Sequence, residues 1–121
     1  KPRQEKRDYL AWLHELPCLI CGQYGVHAAH IRYHAINYGK PITGAGRKPS
    51  DMYCVPLCPY HHTDGPHAQH KHGEREWWKR HEIDPIVIAA LLFLHFSLDD
   101  TDNAIHVALS ARAITKERSY D

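Results

Sequence analysis

Residues 54–62, Cys-Val-Pro-Leu-Cys-Pro-Tyr-His-His, constrain the fold most, because they set two thiols and two imidazoles within nine residues. Ligands of this kind converge on a metal from a short, stiff segment, and the stretch reads as a strand running into the first turn of a helix. A second ligand group stands upstream at Cys18-Leu-Ile-Cys21, with His27 and His30 soon after. Together the groups predict two metal sites rather than one. A chain of 121 residues fits one domain with a modest core, short enough to gain from a structural metal.

Four cysteines could also make two disulfides, but the chain carries no signal-peptide pattern. Reduced thiols that hold metal, in a cytoplasmic protein, are the expectation. The longest apolar run, residues 86–96, falls short of the ~20 residues a membrane-spanning helix needs, so it is expected to be a largely buried core helix, and no membrane partner is expected. The formal net charge is only +1. Any nucleic-acid surface must therefore come from local clusters of Lys and Arg.

Taken in order, residues 5–15 read as a short amphipathic helix that Pro17 ends. Its basic leader could lie on phosphate; a solvated face is the plainer reading. The two-residue spacer of Cys18 and Cys21, with Gly22 behind it, makes half of a zinc site. Residues 26–32 read as a strand, in which alternation puts His27 and His30 on opposite faces.

Residues 33–50 carry Gly39, Gly44, Gly46, Pro41 and Pro49, which mark a long loop. Lys40, Arg47 and Lys48 could set it against a phosphodiester backbone; the alternative is a solvated loop. Residues 52–57 read as a second strand, antiparallel to the first, with Pro56 at an edge or end. A helix can begin at Pro59, sending His61 and His62 about 100° apart, so that they can serve different metals.

Gly65-Pro66 marks a break, after which come His67, His70 and His72. Residues 74–81 look helical, with Trp77 and Trp78 as core anchors. Asp84-Pro85 is a helix start leading into the apolar run. Residues 99–102 break that helix, and a further helix is expected over 104–113.

Cys18 and Cys21, then His30, then Cys58, His61 and His62, in that order over two strands and a helix, resemble the HNH endonucleases of the ββα-metal fold. The resemblance covers about residues 16–93 and is nearest to short phage and prophage HNH proteins related to the recombination-dependent nuclease Ref. It runs through Leu16-Pro17-Cys18, Ala29-His30-Ile31-Arg32, Gly46-Arg47-Lys48-Pro49-Ser50-Asp51, Val55-Pro56-Leu57-Cys58, His61-His62 and Gly65-Pro66. It continues through Ala68-Gln69-His70, Gly73-Glu74, Trp77-Trp78 and Ile83-Asp84-Pro85. Each motif alone is weak; the ordered set is specific.

The resemblance implies an α+β fold: an HNH core with a structural zinc knuckle, a helix over residues 1–15 and a helical extension over 94–121, all one domain. It implies His30 as general base and His62 as ligand to a catalytic divalent cation, Mg2+, Mn2+ or Zn2+. His70 is the candidate second ligand, with His27 and His67 as further ones. The structural Zn2+ would be held by Cys18, Cys21, Cys58 and His61, with Cys54 as rival for the fourth place.

The chain departs from the family pattern at three points. His61 stands where a cysteine is usual, Ala29 where a metal ligand often precedes the base, and the Asn of the family name is missing, leaving Asp51 as the nearest polar candidate. The implied activity is metal-dependent DNA hydrolysis of low sequence specificity. Arg32, Lys40, Arg47 and Lys48 would contact DNA, and a recombinase filament would be a possible partner. The rival expectations are a zinc-braced DNA-binding or recombination-accessory module with degenerate catalysis, and a histidine-rich metal store.

Overall fold

The structure, a computed structural model, describes residues 7–32, 51–69 and 73–116. Helix α1 (Arg7–Leu13) turns Tyr9, Trp12 and Leu13 inward. These positions are spaced i, i+3 and i+4, one stripe of a helix. Two four-residue strands follow, β1 (His27–His30) and β2 (Cys54–Leu57), paired antiparallel as expected. In their register His27 faces Leu57, Ala29 faces Val55 and His30 faces Cys54.

The second strand starts two residues later than its sequence pattern suggests. Asp51–Tyr53 form a single 3-10 turn instead. This turn tucks Asp51 inside, with its side chain 2% exposed, against the end of β1.

After β2 the chain enters a π-helical turn, Tyr60–Asp64, where an α-helix is expected. The His62 N–H still reaches back four residues to the Cys58 carbonyl at 2.9 Å. The Gly65 N–H reaches back five, to the Tyr60 carbonyl, also at 2.9 Å. Glycine permits this closure: a Cβ at position 65 would lie 2.6 Å from the Tyr60 carbonyl oxygen. Single π turns of this kind tend to occur at functional sites.

Helix α2 (Glu74–Arg80) buries Trp77 and Trp78, each at 1% exposure, in the expected core role. The Asp84 side chain caps α3 (Pro85–Ser97) by accepting from the Ile86 N–H at 3.1 Å. This helix is apolar all round, yet it buries only one side. Ile86, Ile88, Ala89 and Leu92 face the core, whereas Leu94 is 50% exposed. A two-stranded sheet and short helices offer too little surface to cover the whole cylinder.

Where one further helix is expected, the chain breaks at Ser110 into α4 (Thr101–Leu109) and α5 (Ala111–Thr115). The buried hydroxyl of Thr115 explains the second piece, because it accepts from the Asp84 N–H at 3.1 Å and so ties α5 to the start of α3. At the other end of the molecule, Trp12 Nε1 donates to Thr101 Oγ1 at 2.9 Å, fastening α1 to α4. The described residues thus form a mostly helical α+β unit whose small sheet lies against α1 and α3. None of their helices is long and apolar enough to cross a membrane.

Candidate functional site

The knuckle is built from its backbone outward. The Cys18 N–H donates to the Gln23 carbonyl at 2.8 Å, and the Cys18 carbonyl accepts from the Gly22 N–H at 2.9 Å. Its sulfur accepts from the Ile20 N–H at 3.4 Å. Gly22 closes the turn at φ +76°, a left-handed conformation that a Cβ disfavours.

This turn brings Cys18 and Cys21 to Cys58 and His61. The sulfurs of Cys21 and Cys58 lie 3.7 Å apart, and His61 Nδ1 stands 3.3 Å from Cys58 Sγ and 4.0 Å from Cys18 Sγ. All four ligand atoms fall within 4.8 Å of one another. A tetrahedral zinc with bonds of ~2.3 Å to sulfur and ~2.0 Å to nitrogen has edges of about 3.8 Å between sulfurs and about 3.5 Å from sulfur to nitrogen. The Cys3His group has the donors and the spacing to hold a metal such as zinc.

Its protonation chemistry agrees. Partial burial pushes the Cys21 thiol up to about 11; the Gln23 backbone pulls the other way, and the neighbouring Cys18 and Cys58 add to the rise. Such crowded thiols give up their protons readily only to a cation. Burial lowers the pKa of His61, which favours the neutral imidazole that ligates metal.

Cys54 belongs to a different group, with His30 and Asp51. Alternation along an unbroken strand would set Cys54 and Cys58 on a common face, but β2 ends at Leu57, so Cys58 is not subject to it. Cys54 instead faces His30 across the strand pair. The fourth position of the knuckle is His61.

His30 Nε2 meets Asp51 Oδ1 at 2.9 Å, with the histidine side chain 17% exposed and the aspartate 2%. His62 meets His27, Nδ1 to Nδ1, also at 2.9 Å. This separation suits a hydrogen bond from one ring to the other. It also suits two neighbouring ligands of an octahedral ion, which on bonds of ~2.1 Å lie about 3.0 Å apart. His27 shares its strand face with the buried Ala29, two residues on.

Arg32 is exposed, and its backbone N–H donates to both carboxylate oxygens of Glu74, at 2.9 and 3.2 Å. Glu74 also accepts from Gln69 Nε2 at 2.9 Å, so one acid in the first turn of α2 joins the end of β1 to the segment before α2. That role is not legible from an acid at a helix start alone. His67 is exposed, and its carbonyl accepts from Trp77 Nε1. His70, Lys40, Arg47 and Lys48 lie outside the described residues.

A family model described as a protein of unknown function (DUF968) matches residues 1–98. That span holds the knuckle, both strands, the π turn, α2 and α3. No curated protein and no solved structure matches the chain.

Proposed function

The chain belongs to the DUF968 family, and from the geometry of its own site we propose that it is a metal-dependent DNA endonuclease of the HNH type. The observation that carries this reading is the placement of two pairs beside a Cys3His knuckle. His30 with Asp51 stands at the end of β1, and His27 with His62 joins that strand to the π turn after β2.

In this reading Asp51 is a positioning residue. It accepts the Nε2 proton of His30, which leaves the lone pair of the neutral ring on Nδ1, where it takes a proton from the attacking water. His27 and His62, with His70 by resemblance, would hold a divalent cation, which would supply neutralisation of charge on the phosphodiester. Placing His27 here answers the absence of a ligand at Ala29. Arg32, together with Lys40, Arg47 and Lys48, contacts the DNA backbone, which positions the duplex without reading its sequence. Low sequence specificity follows, with targeting supplied by a partner such as a recombinase filament.

Nicking of supercoiled plasmid in Mg2+ or Mn2+ tests the proposal. Wild type should nick and His30→Ala should lose about 100-fold or more, the scale of general-base catalysis. Equal, metal-independent background from the two proteins sinks it. The buried alanine at position 29 favours one alternative, a zinc-braced DNA-binding module without catalysis; DNA binding that survives with no nicking would select it.

A further inference from the structure

The geometry points to a second soft-metal site made by His30, Asp51 and Cys54, which takes Zn2+ or Co2+ and, when filled, withdraws His30 from use as a base. Its regulatory half rests on the nuclease reading above; its metal half does not. One imidazole nitrogen, one carboxylate oxygen and one sulfur lie within 4.8 Å of one another. They come from three different places in the fold, the end of β1, the 3-10 turn and the start of β2.

Two features make the group a metal site rather than a polar cluster. Asp51 and Cys54 are almost wholly buried, at 1% and 0% exposure, so the donors are held by the core and need little ordering. The donor set also has the right charge and softness. A carboxylate and a thiolate together balance a divalent ion, and the sulfur selects Zn2+ or Co2+ over Mg2+. On binding, the ion replaces the Cys54 thiol proton, which leaves to solvent, and takes the place of the proton on His30 Nε2, the ring shifting to the tautomer protonated at Nδ1.

Access is through His30, whose side chain is the only one of the three that reaches solvent appreciably. Among the described residues three donors meet here, one fewer than a closed structural site uses, which is the arrangement of exchangeable sites. A neutral ring bound to a metal through the nitrogen that faces Asp51 carries its proton on Nδ1, so the lone pair that would take a proton from water is gone. Zinc therefore opposes the Mg2+-supported reaction, and Cys54 is what makes the site zinc-sensitive.

Cobalt titration of protein already carrying one tightly held zinc reads the site directly. Wild type should develop thiolate-to-cobalt charge-transfer absorption that saturates near one added equivalent, and Cys54→Ser should show none while keeping its zinc and helical circular dichroism. No band in wild type, or the same band in folded Cys54→Ser, overturns the proposal.

Should Cys54→Ser fail to fold, His30→Ala serves instead. It should weaken cobalt binding at least about tenfold, the lower end for even outer-shell changes, and unchanged affinity overturns the proposal. Plasmid nicking in Mg2+ with and without micromolar zinc then tests regulation. Zinc should suppress wild type but not Cys54→Ser, and zinc-insensitive nicking by a wild type that shows the cobalt band removes the regulatory half. If wild type never nicks, the nuclease reading fails while the cobalt band still decides the metal site.

Discussion

Tyr9 illustrates how a residue far from the ligands sets their frame. Its ring is fully buried among Trp12, Phe93 and Phe96, and its hydroxyl donates to the Cys54 carbonyl at 3.2 Å. Burial, with the neighbouring Cys54 adding to it, drives the phenol pKa far up, so this group stays a donor at every working pH. The bond fixes the first residue of β2, which is also the strand partner of His30. Tyr9→Phe keeps the aromatic packing and removes this hydrogen bond, so it should cost about 0.5–1.5 kcal/mol in urea unfolding; wild-type stability in that variant would show that the bond contributes nothing. A tyrosine on the apolar face of a short helix is legible in the sequence as core. Its partner, 45 residues away, is not.

At the scale of elements, the π turn Tyr60–Asp64 decides which site each histidine serves. A proline opening a polar segment suits the first turn of an α-helix, so local sequence predicts one from Pro59. The extra residue follows instead from how Gly65 closes onto Tyr60. His61 then lies with the three cysteines and His62 with His27.

Gly65→Ala puts a Cβ against the Tyr60 carbonyl, and backbone cannot yield as a side chain tip can. The variant should lose affinity for the tight metal and move the His27 and His62 imidazole resonances together in a nuclear magnetic resonance spectrum. Metal affinity and both resonances unchanged would mean that the turn does not set the two histidines. The start of α3 is easier to read: Asp84 caps it as expected, accepting from a backbone N–H at 3.1 Å, the job acids do best at that position. Helix α4 instead starts at Thr101, three residues before the expected position, because Asp100 caps it by accepting from the Asn103 N–H at 3.2 Å.

For the whole molecule, the knuckle is the closure that the small core needs. It joins the segment after α1 to the segment after β2, two parts of the chain with little sheet between them. A strong chelator should therefore take away about one zinc per chain and the cooperative unfolding transition with it; a sharp transition in the metal-free protein would contradict that dependence.

Acid should act in the same direction. The pKa of His81 is lowered by burial first, then by the charges of His61, Arg112 and Arg80, and that of His61 is lowered by burial. A histidine with a lowered folded pKa binds fewer protons when folded than when unfolded, so its contribution is full above the ordinary value near 6.5 and is lost as pH falls below it. Thermal scans from pH 7.5 to 5 should show a falling midpoint, and a flat profile would exclude the effect. Ligand types, their spacing, the strand pair and the start of α3 were determined by the sequence alone, because capping, alternation and metal coordination are local rules. Tertiary structure alone decided that Cys54 joins His30 and Asp51, that His61 completes the knuckle, and that α3 leaves one side open. Those outcomes depend on where strands end and how much surface faces them, which no local pattern encodes.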